Sequence, residues 1–144
     1  MARRLRVEVA RTIDRPADVV FRALSDERES PHWREVDAAD YDVGGPCVVG
    51  AKFWRAAAGQ RAAFEVTSCE PHSIYAAAAI EGDAVEAISC RSIDQLTTEV
   101  ERVVERAPST LALLARPWAR WRLRRRLGRE LDRAARWLEA SAPG

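Results

Sequence analysis

Leu5-Arg-Val-Glu-Val-Ala-Arg-Thr-Ile13, then Asp14-Arg-Pro16, then Val19-Val-Phe-Arg-Ala-Leu24, closing at Pro31-His-Trp33: this opening stretch decides the fold. Leu5, Val7, Val9, Arg11 and Ile13 fall on one face of an alternating run, and Arg4, Arg6, Glu8 and Thr12 on the other. That period of two belongs to a half-buried strand. Pro16 suits a helix's first turn, where its missing N–H would be an orphan anyway, and Asp14 is a plausible cap. Val20, Phe21 and Leu24 follow at helical spacing, and a second short helix is expected from Asp26 to about His32.

From Val36 to Val104 the pattern is strand and turn. Expected strands cover Val36–Val43, Val48–Ala57, Arg61–Ser68, Ser73–Ile80, Val85–Ser92 and Gln95–Glu105. Gly44-Gly-Pro46, Ala58-Gly59-Gln60 and Glu81-Gly82-Asp83 mark turns between them. With the first strand this makes about seven, in an antiparallel meander. Pro108 breaks the chain, and the short apolar segment Thr110–Ala115 precedes a helix expected from about Pro117 to Ala140. On that helix Leu123, Leu127, Leu131, Ala134 and Leu138 share a narrow arc, with Arg122, Arg125, Arg129, Arg133 and Arg136 opposite.

At 144 residues the chain is expected to form one domain, 1–144, large enough for a real core. The net charge of +1 hides an asymmetry. Residues 116–144 hold nine arginines against Glu130, Asp132 and Glu139, whereas the preceding residues are net acidic. Lys52 is the only lysine, and the wealth of Arg and Ala is what GC-rich codons supply, so single arginines are discounted. Cys47, Cys69 and Cys90 are odd in number and lack metal-ligand spacing. They read as three free thiols in a reducing, cytoplasmic setting. No run approaches the ~20 apolar residues of a membrane span. No metal or cofactor is expected.

In this order, the strand, the proline-started helix, the acidic break at Asp26 and the closing Trp33 resemble the START-related SRPBCC superfamily of polyketide cyclases and lipid-binding proteins. Gly50 after Val48-Val49, Phe64-Glu-Val66 with Glu70-Pro71, and Trp137-Leu-Glu139 carry the resemblance along nearly the whole chain. Ser92-Ile-Asp-Gln95 departs from it, lacking a Gly-Thr turn before the last strand. The resemblance implies an α+β helix-grip fold. A seven-stranded curved antiparallel sheet wraps a long C-terminal helix, two short helices follow the first strand, and an apolar cavity lies between sheet and helix. It also implies a ligand that is a lipid, an isoprenoid or polyketide-like, and Trp33 at the cavity mouth.

The residues themselves leave alternatives open. Trp33 lines the mouth or plugs the core. A two-residue turn at Gly59-Gln60 would put Phe53 and Arg55 on the face of Phe64 and Val66; a three-residue loop would put Trp54 beside Phe64 instead. An inward Arg55 suits a ligand carboxylate or enolate, although a solvated or ion-paired arginine is the ordinary case. Tyr41 and Tyr75 are the only phenols, and His32 the one imidazole beside Trp33. The alanines at 56–58, 62–63 and 76–79 leave room under the helix, as GC-rich codons would also. No G-x-S-x-G or H-E-x-x-H motif occurs.

The candidate ligand-binding set is therefore Trp33, Tyr41, Phe53, Trp54, Arg55, Phe64 and Tyr75. Three functions compete: binding an apolar small molecule, a polyketide aromatase/cyclase activity, and an interaction role for the arginine face. That face is otherwise solvated, with Arg126–Glu130 and Asp132–Arg136 as helical pairs. No nucleic-acid partner is expected, and monomer and homodimer both remain open.

Overall fold

The opening alternation forms strand β1 (Leu5–Ile13), with Leu5, Val7 and Ile13 fully buried. The computed structural model describes residues 5–107 and 116–141. Helix α1 (Ala17–Ser25) buries Val20, Phe21 and Leu24, the residues its spacing selects. Pro16 stands at the N-cap and no side chain caps the helix, so Asp14 does not play that part. A 3₁₀ helix, Glu27–His32, follows, and the Asp26 carboxylate accepts from the Arg28 N–H at its start.

Six further strands come next: β2 (Ala38–Val43), β3 (Lys52–Ala57), β4 (Gln60–Glu70), β5 (Ile74–Ala79), β6 (Val85–Asp94) and β7 (Thr97–Arg106). The sheet is antiparallel in the order β1-β7-β6-β5-β4-β3-β2, so β2 to β7 form a meander and β1 closes beside β7. Helix α2 (Arg116–Ala140) lies across one face. This is the helix-grip architecture of the α+β class. The apolar segment 110–115 lies outside the described residues.

Two turns fix what faces inward. Ala57 pairs with Gln60, leaving Ala58 and Gly59 at φ 51° and 77° as a two-residue primed turn. Of the two loop lengths the sequence leaves open, the two-residue one forms, with its corner one residue earlier than Gly59-Gln60. Phe53 therefore pairs with Phe64, and Arg55 shares the helix-facing side with both. At the other end of the sheet, Asp94 pairs with Thr97 and its carboxylate accepts from the Leu96 N–H. A side chain here serves the turn that lacks a glycine; β6 and β7 keep one register from Val85 to Ser92, and it shifts by one residue before Asp94. β3 begins at Lys52 rather than Val48, because Cys47 and Gly50 adopt φ 55° and 89° and turn the chain there.

α2 buries Leu123, Leu127, Leu131, Ala134 and Leu138 as its periodicity requires. Leu123 and Leu127 meet Leu5 and Val7, while the C-terminal half joins the main core around Ile13, Phe21, Leu24 and Trp33. The expected helical pairs do not form. Glu130 turns inward to Arg102, and Asp132 reaches across to Arg11 on β1. Cys47 and Cys69 form a disulfide with Cα atoms 5.3 Å apart, correcting the expectation of three free thiols; Cys90 alone is free, and buried. Bulging of β4 between Val66 and Ser68 turns Cys69 to the inner side, opposite Tyr75, where the turn carrying Cys47 can meet it. Among the described residues no helix is long and apolar enough to cross a membrane.

Candidate functional site

Period-two alternation should leave the helix-facing side apolar, yet four strands place a polar residue there: Arg55 on β3, Tyr75 on β5, Glu86 on β6 and Arg102 on β7. Glu27 and Ser30 come down from the 3₁₀ helix, Arg34 from its exit and Glu130 from α2. Three carboxylates and three guanidiniums thus meet in the interior, and their charges balance. An unpaired buried charge would cost several kcal/mol, so the pairing has to be complete.

It is closely interlocked. Glu27 accepts from Arg55 Nε and Nη2 at 2.8 and 3.0 Å, from the Tyr75 hydroxyl at 2.6 Å and from Ser30 at 3.0 Å. Arg55 Nη2 also reaches Glu86 Oε1 at 3.3 Å. Glu86 holds Arg34 through two contacts of 2.9 and 2.7 Å, and accepts from Arg102 Nη2 at 2.8 Å. Arg102 Nη1 then donates to Glu130 Oε1 at 2.6 Å, and Glu130 Oε2 accepts from the Glu35 N–H at 2.6 Å. One continuous chain of charge-assisted bonds runs from the 3₁₀ helix across the sheet to α2.

Burial pushes all three carboxyls up, but the arginines outweigh it. Arg55 and Arg34 hold Glu27 below its ordinary range, and Arg34, Arg102 and Arg55 hold Glu86 well below. Arg102 and Arg34 do the same for Glu130. Tyr75 moves the other way: burial, then the Glu27 charge, raise its phenol, which stays protonated as a donor. Tyr41 is pushed up to about 12, chiefly by burial, and its oxygen accepts the Glu27 N–H at 3.0 Å.

Between this polar floor and α2 lies a cleft of about 170 Å³. Phe64, Ala77, Val85, Val104 and Leu123 supply its apolar wall. Arg34, Arg55, Glu86, Arg102 and Glu130 face them, and Arg106 and Arg126 stand at its edge. The volume falls short of the ~300–1,000 Å³ of drug-sized pockets. The cleft is smaller than the apolar cavity the resemblance implies, and one of its walls is charged.

Of the expected site residues, Arg55 and Phe64 line the cleft. Phe53 stacks beneath Phe64 with ring centroids 5.3 Å apart. Tyr75 and Tyr41 hold Glu27 from behind the floor. Trp33 is fully buried, with the Arg34 guanidinium 4.1 Å and that of Arg102 5.1 Å from its ring. It is a platform for the network's cations. Trp54, on the opposite face of β3, stacks with Arg61. His32 stacks on Trp137 at 4.6 Å.

Glu27, Arg34, Glu86, Arg102 and Glu130 escape the sequence reading. A signal existed for two of them. Glu86 and Arg102 occupy inward slots of their strands, in step with Ile88 and with Val100 and Val104, where a charge demands a partner.

Solved structures share this architecture at low identity. XoxI from Bacillus cereus superposes with a TM-score of 0.77 at 12% identity, with 96% of each chain covered. MLL2253 from Mesorhizobium loti gives 0.75 at 16% identity, covering 96% of this chain and 99% of that one. DynU16, from the dynemicin biosynthetic locus, gives 0.72 at 18%, covering 96% of this chain and 49% of that one. Among curated proteins, none matches the sequence. A family model does match, over residues 4–139, and the chain belongs to the family described as polyketide cyclase / dehydrase and lipid transport.

Proposed function

We propose that this protein, acting as a single domain, binds a small and mostly apolar molecule in the cleft between the sheet and α2. The observation that carries this reading is the two-sided cleft itself, apolar along Phe64, Ala77, Val85, Val104 and Leu123 and charged opposite. Affinity comes from apolar burial at ~25 cal/mol per Å². Orientation comes from Arg55. Its Nε and Nη2 are fixed by Glu27 and Glu86, while Nη1 has no hydrogen-bond partner among the described residues. Nη1 is thus a donor held ready for a carbonyl or enolate oxygen on the ligand's body, with its ordering cost already met by the network. The small volume favours a compact isoprenoid or a short acyl or polyketide fragment over a whole lipid.

The polyketide aromatase/cyclase alternative needs a group that gives or takes a proton at the ligand. The carboxylates facing the cleft, Glu86 and Glu130, are ionised and committed to arginines, and the Tyr75 proton is directed at Glu27. The geometry therefore supports binding better than turnover. The cytoplasmic placement expected from the sequence sits poorly with the Cys47–Cys69 bridge, since reducing compartments keep thiols reduced.

Native mass spectrometry of protein purified without detergent tests the reading. An added small-molecule mass is expected, and Ala77→Leu, which fills the cleft, should remove it while circular dichroism stays unchanged. An added mass retained in folded Ala77→Leu protein would place the ligand elsewhere.

A further inference from the structure

The inner cleft does not end at α2. A second, wider groove of about 550 Å³ runs along the helix past Trp118, Trp121, Arg122 and Arg125, and the two spaces share Arg106, Leu123 and Arg126. These three residues form the junction: Arg106 comes from the end of β7, the other two from α2.

The arginines of this region differ in what they already hold. Arg122 lies over Trp118 and Arg125 over Trp121, with guanidinium-to-ring distances of 4.8 and 4.9 Å. Arg129 pairs with Glu35 at 3.0 Å. The neighbouring carboxylates are engaged as well: Glu105 pairs with Arg6, Asp83 accepts from the Ala107 N–H, and Glu130 is taken by Arg102. Arg106 and Arg126 are left with no carboxylate partner among the described residues. They are two cations from different elements at the open end of an apolar slot whose floor is internally neutral.

We infer that the cleft's ligand carries an anionic head, a carboxylate or a phosphate monoester, held between Arg106 and Arg126 while its apolar body lies inward along Val85, Val104 and Leu123. Guanidiniums suit either oxyanion because their donors match its geometry. This rests on the cleft being the binding site, and it names the class of molecule the cleft selects.

The test uses hexanoate, hexyl phosphate and 1-hexanol, titrated separately into the isotopically labelled full chain and followed by NMR at the amides of Ala77, Val104 and Leu123. At low salt, one of the two anions should bind about tenfold more tightly than the alcohol, the scale of a charge-assisted hydrogen bond. The tighter of the two identifies the head group. The double variant Arg106→Gln/Arg126→Gln should lose that preference and keep its affinity for 1-hexanol. Arg120→Gln/Arg124→Gln, which removes the same charge elsewhere on the helix, should retain the preference. Equal binding of all three probes at those amides would overturn the anionic head and leave the cleft standing as an apolar site. A preference that survives in the double variant would overturn the assignment to these arginines. If none of the probes moves those amides, the cleft itself fails as the site, and the head group with it.

Discussion

Glu27 shows how one side chain can hold a fold's interior together. Its carboxylate satisfies both donors that Arg55 turns toward it, the Tyr75 hydroxyl and Ser30, and its backbone N–H is taken by Tyr41. Replacing Glu27 with Ala would leave Arg55 without its bidentate partner in the interior. Unfolding in urea should show a loss of about 3–5 kcal/mol, the scale of breaking a buried ion pair from one side. Tyr75→Phe deletes one donor and leaves every charge paired, so it should cost only about 1–2 kcal/mol. Equal costs for the two variants would mean the network is held by packing rather than charge. The sequence hides this residue well: Glu27 sits in a short helix of polar composition, Glu27-Arg-Glu-Ser-Pro-His32, where nothing in the periodicity separates a buried glutamate from a solvated one.

Elements were more legible than residues. The Leu123–Leu138 stripe, the alternation of β1 and the Val20-Phe21-Leu24 face each announce what they bury, because a sustained apolar period belongs to a face turned toward a core. Boundaries and pairings that depend on turns were less so. Whether Arg55 or Trp54 faces the helix rests on a single residue of loop length, which composition alone does not fix. The Cys47–Cys69 bridge was invisible for a related reason: the positive-φ turn at Cys47 and the bulge in β4 bring the two sulfurs together, and neither feature is written in cysteine spacing. The bridge ties the β2–β3 connection to β4 across a sequence separation of 22. Chain-entropy arguments give it about 3 kcal/mol. Cys47→Ser/Cys69→Ser protein should be destabilised by that amount in denaturant, and thiol titration of unfolded, unreduced wild type should count Cys90 alone. Three reactive thiols would remove the bridge and its contribution.

At the scale of the whole molecule, the three buried carboxylates tie stability to acidity. Glu27, Glu86 and Glu130 all ionise at lower pH in the folded chain than at the ordinary carboxyl value of 4.5, because their arginine partners outweigh burial. A depressed carboxyl contributes stability that is fully present above the unfolded value and is lost as pH falls through the folded one. The urea midpoint should therefore hold steady from this source between about pH 7 and pH 5 and drop below about 4.5. Glu86→Gln removes one of the three titrations, so its acid-side decline should be shallower than that of wild type. A decline of the same slope would assign the acid sensitivity to groups outside this network.

The corner at Ala58-Gly59 gives the cleft its chemical character from outside it. One extra codon there would rotate β3 by half its repeat, swinging Trp54 under the helix and sending the Arg55 guanidinium to water. The floor would become aromatic, and Glu27 would be stranded without its closest counter-ion unless it changed too. The polarity of the cleft floor is thus set by the length of a loop that does not touch it.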